Sequence, residues 1–209
     1  MKHEAWNLRI SETLPESSRN KLRNYVRLLD QWKNITNLTS RESFHQIWER
    51  HIEDSVQLQK SRPTARLWLD VGSGAGFPGI VIASILSDAD GARVHCVESD
   101  GRKCAFLRVV AERLHIPVKV HQCRIETLSP DAVRDVEVIT ARAFSSLRNI
   151  LTVTKPFIEQ GAVAVLPRGR SALKEVEALD MSDYIIVATT NPQHSDGVIL
   201  HIQNRNREL

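Results

Sequence analysis

What this 209-residue chain lacks excludes several classes of protein at once. It has only three cysteines, Cys96, Cys104 and Cys123, and no C-x-x-C pair. An odd count without a secretory signal argues against a disulfide framework. His121 and Cys123 would face the same way on a strand, but two further ligands are not evident, so no metal site is expected. No apolar run is long enough to span a membrane, and nothing resembles a signal peptide, so a cytoplasmic protein without a membrane partner is expected. The net charge of +3 and pI near 8.9 are too balanced to establish nucleic-acid binding alone. No internal repeat or low-complexity tract is present. No Ser-His-Asp set or pair of acid–base carboxylates is apparent. What remains is ordinary for a folded domain: 42% of residues are hydrophobic, and the length suits one α/β domain with a short extension.

The informative stretch is Leu67-Trp-Leu-Asp70-Val-Gly72-Ser-Gly74-Ala-Gly76-Phe77-Pro78-Gly79. An apolar strand ends on an acid, and the chain then turns through four glycines in eight residues. Glycines there allow a ligand to lie against bare backbone. Pro78 suits the first turn of the helix that follows. Two ligands compete for this loop. Gly74-x-Gly76-x-x-Gly79 satisfies the dinucleotide fingerprint. Asp70-Val-Gly72-x-Gly74-x-Gly76 also satisfies the acid-x-Gly-x-Gly-x-Gly loop of S-adenosylmethionine-dependent methyltransferases. Asp70 favours the second, because a carboxylate is awkward beside a pyrophosphate and useful beside a cationic ligand. Arg93-Val-His-Cys-Val-Glu98 is a second strand ending in an acid, placed to accept both ribose hydroxyls. NAD enzymes share that feature, so Glu98 does not discriminate.

The alternation of elements adds a discriminating signal. Residues 1 to about 62 form a helical extension, with one stripe at Leu22, Tyr25, Val26, Leu29 and Trp32. A second stripe runs through Phe44, Ile47, Trp48, His51, Ile52, Ser55 and Val56, after a polar break from Asn34 to Ser40. From residue 63 the chain reads as one α/β domain. Strands are expected at 66–71, 93–98, 117–122, 136–141, 161–166, 183–189 and 197–203, with helices near 78–87, 101–115, 145–155 and 170–179. The loop from Asn191 to Gly197 is too short for a crossover helix, so the last two strands should pair antiparallel. A mainly parallel sheet closed by one antiparallel strand is a methyltransferase layout. Basic residues, among them Arg124, Arg142 and Arg168, follow the glycine loop and would form a rim suited to a phosphate-bearing substrate.

Taken together, these blocks resemble the small-subunit ribosomal RNA methyltransferase G family. The resemblance runs in order through Gln31-Trp-Lys-Asn-Ile-Thr-Asn-Leu-Thr-Ser40, Arg50-His51-Ile-Glu-Asp54-Ser55 and the loop ending Phe77-Pro78-Gly79. It continues through Arg102-Lys-Cys-Ala-Phe-Leu107, Cys123-Arg124-Ile125-Glu126 and Thr140-Ala-Arg142-Ala-Phe144. It implies a Rossmann-like class I methyltransferase fold: a seven-stranded, mainly parallel sheet with an antiparallel last strand. It implies S-adenosyl-L-methionine as methyl donor, S-adenosyl-L-homocysteine as product, and methylation at N7 of one guanine in the 16S rRNA decoding region (530 loop). The implied partner is 16S rRNA or the small ribosomal subunit, and a monomer is expected. Cofactor contacts implied by the family fall on Gly72, Phe77, Ile125, Glu126 and Arg142. Three features depart from the common pattern: Ser-Gly-Ala-Gly-Phe in the loop, Glu98 in place of Asp, and Pro167-Arg168 in place of a lysine–glycine pair.

The expected roles follow from this chemistry. Gly72, Gly74 and Gly76 shape the cofactor loop, and Asp70 supports it or meets the ammonium. Glu98 takes the ribose, while Ile125 and Glu126 flank the adenine. Arg142 contacts cofactor or guanine, with a salt bridge to Glu126 or Asp70 as the structural alternative. Arg50, His51, Arg124 and Arg168 are candidates for RNA contact, and Arg50 can pair with Asp54 four residues on. Other functions compatible with parts of the pattern are an NAD-dependent oxidoreductase, a non-catalytic RNA-binding module, and a methyltransferase acting on another RNA or a small molecule.

Overall fold

The computed structural model of the protein describes residues 13–36, 38, 47–142, 146–179, 182–191 and 196–206. Helix α1 spans Glu16–Thr36 and buries Leu22, Tyr25, Leu28 and Leu29 at helical spacing, with Asn24, Arg27 and Gln31 exposed. It persists past Asn34, where a break was expected, because Trp32 packs on Phe106 and anchors the last turns (ring centroids 5.7 Å apart). Asn37, Thr39, Ser40 and Phe44 lie outside the described residues. A widened π-helical turn, Trp48–Ile52, leads into α2 (Glu53–Ser61).

The α/β part comprises β1 (Leu67–Val71), α3 (Gly79–Ile85), β2 (Arg93–Glu98), α4 (Gly101–Leu114) and β3 (Val118–Gln122). Two short 3-10 turns, Ile125–Thr127 and Pro130–Val133, precede β4 (Val138–Ala141). Then come α5 (Leu147–Glu159), β5 (Val163–Gly169), α6 (Ala172–Glu177), β6 (Tyr184–Thr190) and β7 (Gly197–Asn204). Ala143 and Phe144 of the family-like block, and residues 192–195 of the final loop, lie outside the described residues.

All seven strands join one sheet in the order β3-β2-β1-β4-β5-β7-β6. The β1–β2, β1–β4, β2–β3 and β4–β5 pairs are parallel, and β7 is antiparallel to both β5 and β6. The last strand is therefore the antiparallel one, as its short connection requires. It does not close the sheet, however; β7 inserts between β5 and β6, and β6 holds the edge.

Two boundaries moved for physical reasons. Helix α5 runs through Pro156, because Phe157 and Ile158 beyond it are buried in the core and outweigh the lost backbone bond. Strand β5 continues through Pro167 to Gly169, pairing there with β7 after its ladder with β4 has ended. Helices α3 and α6 are each shorter than expected.

The sheet is covered on both faces, which is why its central strands read as nearly unbroken apolar runs. One core joins Trp68, Val94 and Cys96 of the sheet to α3, α4 and the N-terminal helices through Leu22, Tyr25, Ile52 and Val56. The other joins Leu69, Val71 and Ile139 to α5 and α6. The start of β1 is fixed by Glu137, whose Oε2 accepts from the Arg66 and Leu67 amides at 2.6 and 2.7 Å. Strand order reverses at β1, between β2 and β4, and the crevice at the carboxyl ends of such strands is where open α/β sheets take ligands.

Candidate active site

The glycine loop leaves β1 at this crevice. Val71 pairs with Val97 on one side and Ala141 on the other, so Gly72 lies between the chain leaving β2 at Glu98 and the chain leaving β4 at Arg142. The amides of Gly72 and Ser73 donate to the Val97 carbonyl at 2.9 and 3.0 Å. The Glu98 carboxylate accepts from the Gly74 amide through Oε2 and from the Asp100 amide through Oε1, both at 2.9 Å. Asp100 in turn caps α4, accepting from the Arg102 and Lys103 amides.

Two glycines of the loop are required by their surroundings. Gly76 has φ +105°, and a Cβ there would lie 2.4 Å from Ile80 Cγ1. At Gly79 a Cβ would lie 2.6 Å from Asp70 Oδ2. The reason is the direction of Asp70. Its side chain is fully buried beneath the loop, where Oδ2 accepts from the Gly79 amide at 3.2 Å. Burial pushes its pKa up to about 7, against the hydrogen bond from Gly79. Of the two roles expected for Asp70, supporting the loop is the one its placement fits.

Phe77 is also turned inward. Its ring stacks on His51 at 4.9 Å and tilts against Tyr25 at 5.4 Å. His51 thus reaches the loop from the π-helical turn. Burial, followed by the Arg142 and Arg50 cations, lowers its pKa to about 4, so it is neutral near pH 7. Both its ring nitrogens are buried and make no hydrogen bond among the described residues.

Two cavities lie along the carboxyl edge of the sheet, the smaller of them reaching the loop at Gly72. One, of about 250 Å³, is lined by Gly72, Val97, Glu98, Ser99, Cys123, Arg124, Ile125 and Glu126. Ile125 is buried in its wall, and Arg124 and Glu126 are exposed at its rim. The other, of about 580 Å³, is lined by Arg50, Asp54, Arg142, Pro167, Arg168, Gly169, Asn191, Asp196 and Gly197. The expected RNA-contacting residues therefore divide: Arg50 and Arg168 face the larger cavity, Arg124 the smaller, and His51 packs behind the loop.

Arg142 has neither alternative partner expected for it, Glu126 or Asp70. Its Nη2 donates to the Arg50 carbonyl at 2.5 Å and lies 3.4 Å from Asp54 Oδ2. The same geometry corrects the expected Arg50–Asp54 pair: the Asp54 carboxylate is directed to Arg142 and, at 3.0 Å, to the Asn191 amide. Burial lowers the Arg142 pKa, with Asp54 opposing the shift. Burial likewise lowers that of Arg168, opposed by Glu175.

Two residues of the site escaped sequence reasoning. Tyr25 was an apolar-stripe residue, yet its hydroxyl donates to the Ala75 carbonyl at 2.7 Å and so holds the glycine loop from behind. The signal was available, since a buried tyrosine needs a partner for its hydroxyl. Asn191 gave no local signal at all. Elsewhere, His95 Nδ1 and His121 Nε2 lie 2.8 Å apart across β2 and β3. Among the described residues no group of three His, Cys, Asp or Glu side chains could hold a metal, and no helix is long and apolar enough to cross a membrane.

The sequence profile described as rRNA small subunit methyltransferase G matches residues 18–197. The chain belongs to this family. A curated relative, ribosomal RNA small subunit methyltransferase G of Brucella ovis, is 38% identical over 182 residues, 87% of this chain and 85% of the relative. More distant solved structures share the fold. A protein of the NADB-Rossmann superfamily from Streptococcus agalactiae superposes with a TM-score of 0.56 at 16% identity, over 75% of this chain and 69% of that one. Precorrin-6y C5,15-methyltransferase from Geobacter metallireducens gives 0.52 at 16% identity, over 71% and 85%. The family's Rossmann-like architecture is thus the one seen here.

Proposed function

We propose that the protein is a cytoplasmic 16S rRNA methyltransferase that transfers a methyl group from S-adenosylmethionine to N7 of one guanine in the decoding region. The observation that carries this reading is family membership over most of the chain, joined to a two-cavity crevice at the carboxyl edge of the sheet. The smaller cavity fits an adenosine. It has bare backbone at Gly72, the buried Ile125 in its wall, and two carboxylates, Glu98 and Glu126, to accept from ribose hydroxyls and an exocyclic amine. When bound, S-adenosylmethionine supplies a methyl group activated by a sulfonium.

Guanine N7 carries an in-plane lone pair and no proton, so the chain has no proton to remove. The reaction therefore requires no general base. The work left to the residues is positioning and the handling of charge. Gly72, Gly74 and Gly76 hold the loop against the methyl donor, with Asp70 and Tyr25 bracing it from beneath and behind. Arg142, in the wall of the larger cavity, contacts donor or acceptor. Methylation leaves a positive charge on the base. Arg50, Arg168 and Arg124 are therefore best used on O6 or on phosphates and not around N7. The N-terminal segment (1–62) serves as an extension of the catalytic domain (63–209): Arg50 and Asp54 wall the acceptor cavity, and His51 backs the loop through Phe77.

The test is methylation of small ribosomal subunits from a strain lacking the activity, using S-adenosylmethionine labelled in its methyl group. Label at N7 of a single 16S guanine is the expected result. No label, with S-adenosylmethionine binding shown by calorimetry, would refute the RNA assignment.

A further inference from the structure

We propose that Asp54 and Asn191 are positioning residues for Arg142, holding its guanidinium toward the ligands of the cleft. The inference rests on the function proposed above and adds two residues that reach the reaction through a third.

Three segments distant in the chain meet here: α2, the end of β4 and the end of β6. Asn191 is fixed in place by its own backbone, whose amide donates to the Gly197 carbonyl at 2.9 Å. Its side-chain amide donates to Asp54 Oδ1 at 3.0 Å, which sets the rotation of the carboxylate. The second oxygen, Oδ2, is thereby turned to Arg142 Nη2 at 3.4 Å. The Arg50 carbonyl accepts from that same nitrogen. Asp54 is only 7% exposed, so this pair is held in a medium where a misplaced charge is expensive.

A pair that merely docked α2 on the sheet would be expected to satisfy both sides of the guanidinium. Arg142 does not. Its Nη1 is buried and has no hydrogen-bond partner among the described residues, while Asp54, Arg142 and Asn191 all line the larger cavity. One side of the fork is clamped, and the other is an unused buried donor on a residue that lines the cavity, which a bound ligand would engage once the pocket adjusts to it. The carboxylate also offsets the guanidinium charge. A compensated arginine can donate to a guanine O6 with less repulsion of the cation that forms at N7.

The test is a double-mutant cycle in the full chain. Asp54→Asn and Asn191→Ala are each made in wild type and in Arg142→Ala, with turnover on small subunits and S-adenosylhomocysteine affinity as readouts. Asp54→Asn is expected to lower kcat about 100-fold, the scale of a displaced catalytic contact, while KM for the small subunit changes less than about threefold. Asn191→Ala, which keeps the charge pair, is expected to lower kcat about tenfold and serves if Asp54→Asn folds poorly. In Arg142→Ala neither change should cost more than about twofold further. Equal losses in both backgrounds, following the fall in melting temperature, would overturn the proposal and leave a docking contact. If wild type labels no RNA, the functional reading fails separately. The positioning role is then decided by S-adenosylhomocysteine affinity: coupling to Arg142 supports it, and independent effects overturn it.

Discussion

Replacing Tyr25 by phenylalanine removes one oxygen atom and isolates the contact between the N-terminal helix and the glycine loop. The hydroxyl is wholly buried and donates to the Ala75 carbonyl at 2.7 Å. The ring keeps its contacts with Phe77 and Phe106, at 5.4 and 6.5 Å between centroids, so packing is nearly unchanged. What is lost is the partner of a carbonyl in the middle of the loop. Leaving a buried acceptor unsatisfied costs about 1–3 kcal/mol. For a chain of this size each kcal/mol shifts the melting temperature by about 2–4 °C. A fall of roughly 2–12 °C is therefore expected by circular dichroism. S-adenosylhomocysteine binding should weaken as well, because the loop loses its anchor from behind. A variant melting within about 1 °C of wild type, with unaltered affinity by calorimetry, would show that Tyr25 does not brace the loop.

Other changes probe the loop from different sides. Gly76→Ala places a Cβ 2.4 Å from Ile80 Cγ1 at a φ of +105°, and should cost about 2–4 kcal/mol of stability by denaturant unfolding. An unchanged midpoint would mean that the loop readily adopts another path. Glu98→Ala removes the acceptor for the Gly74 and Asp100 amides together with the proposed ribose contact, so S-adenosylhomocysteine affinity should fall on the order of 100-fold. Retained affinity would refute the ribose assignment. Asp70 titrates near 7 in the folded protein against 3.8 as its ordinary value, so the folded state binds the extra proton between those limits. Its contribution is most favourable below about pH 4 and is lost as pH rises through about 7, a change of up to roughly 4 kcal/mol. Subtracting the stability of Asp70→Asn from that of wild type across this range should give a difference that falls with rising pH. A flat difference would contradict the buried, protonatable state of Asp70.

The sequence carried the strands best where both faces of the sheet are covered. β1 and β2 end within a residue of the limits read from their apolar runs, because burial on both sides leaves little room for polar residues before the carboxyl edge. The antiparallel seventh strand was equally accessible, since a short connection admits only that pairing. What the pattern did not carry was direction at the crevice. Asp70 and Glu98 look alike in sequence, each an acid at a strand end. Yet Glu98 borders the smaller cavity while Asp70 points beneath the loop to α3. Deciding between them requires knowing which helix covers which face.

The partner of Asp54 shows the same limit more sharply. Helical spacing offers Arg50, four residues away, and local rules favour it. The fold instead delivers Arg142 from β4 and Asn191 from beyond β6, the latter 137 residues away in sequence. A buried carboxylate gains more from a fixed guanidinium and a fixed amide than from one exposed arginine on its own helix. The consequence reaches the chemistry. The only charged residue of α2 that lines the larger cavity is the one paired with Arg142, so the N-terminal helices are built into the carboxyl edge of the sheet as well as its core.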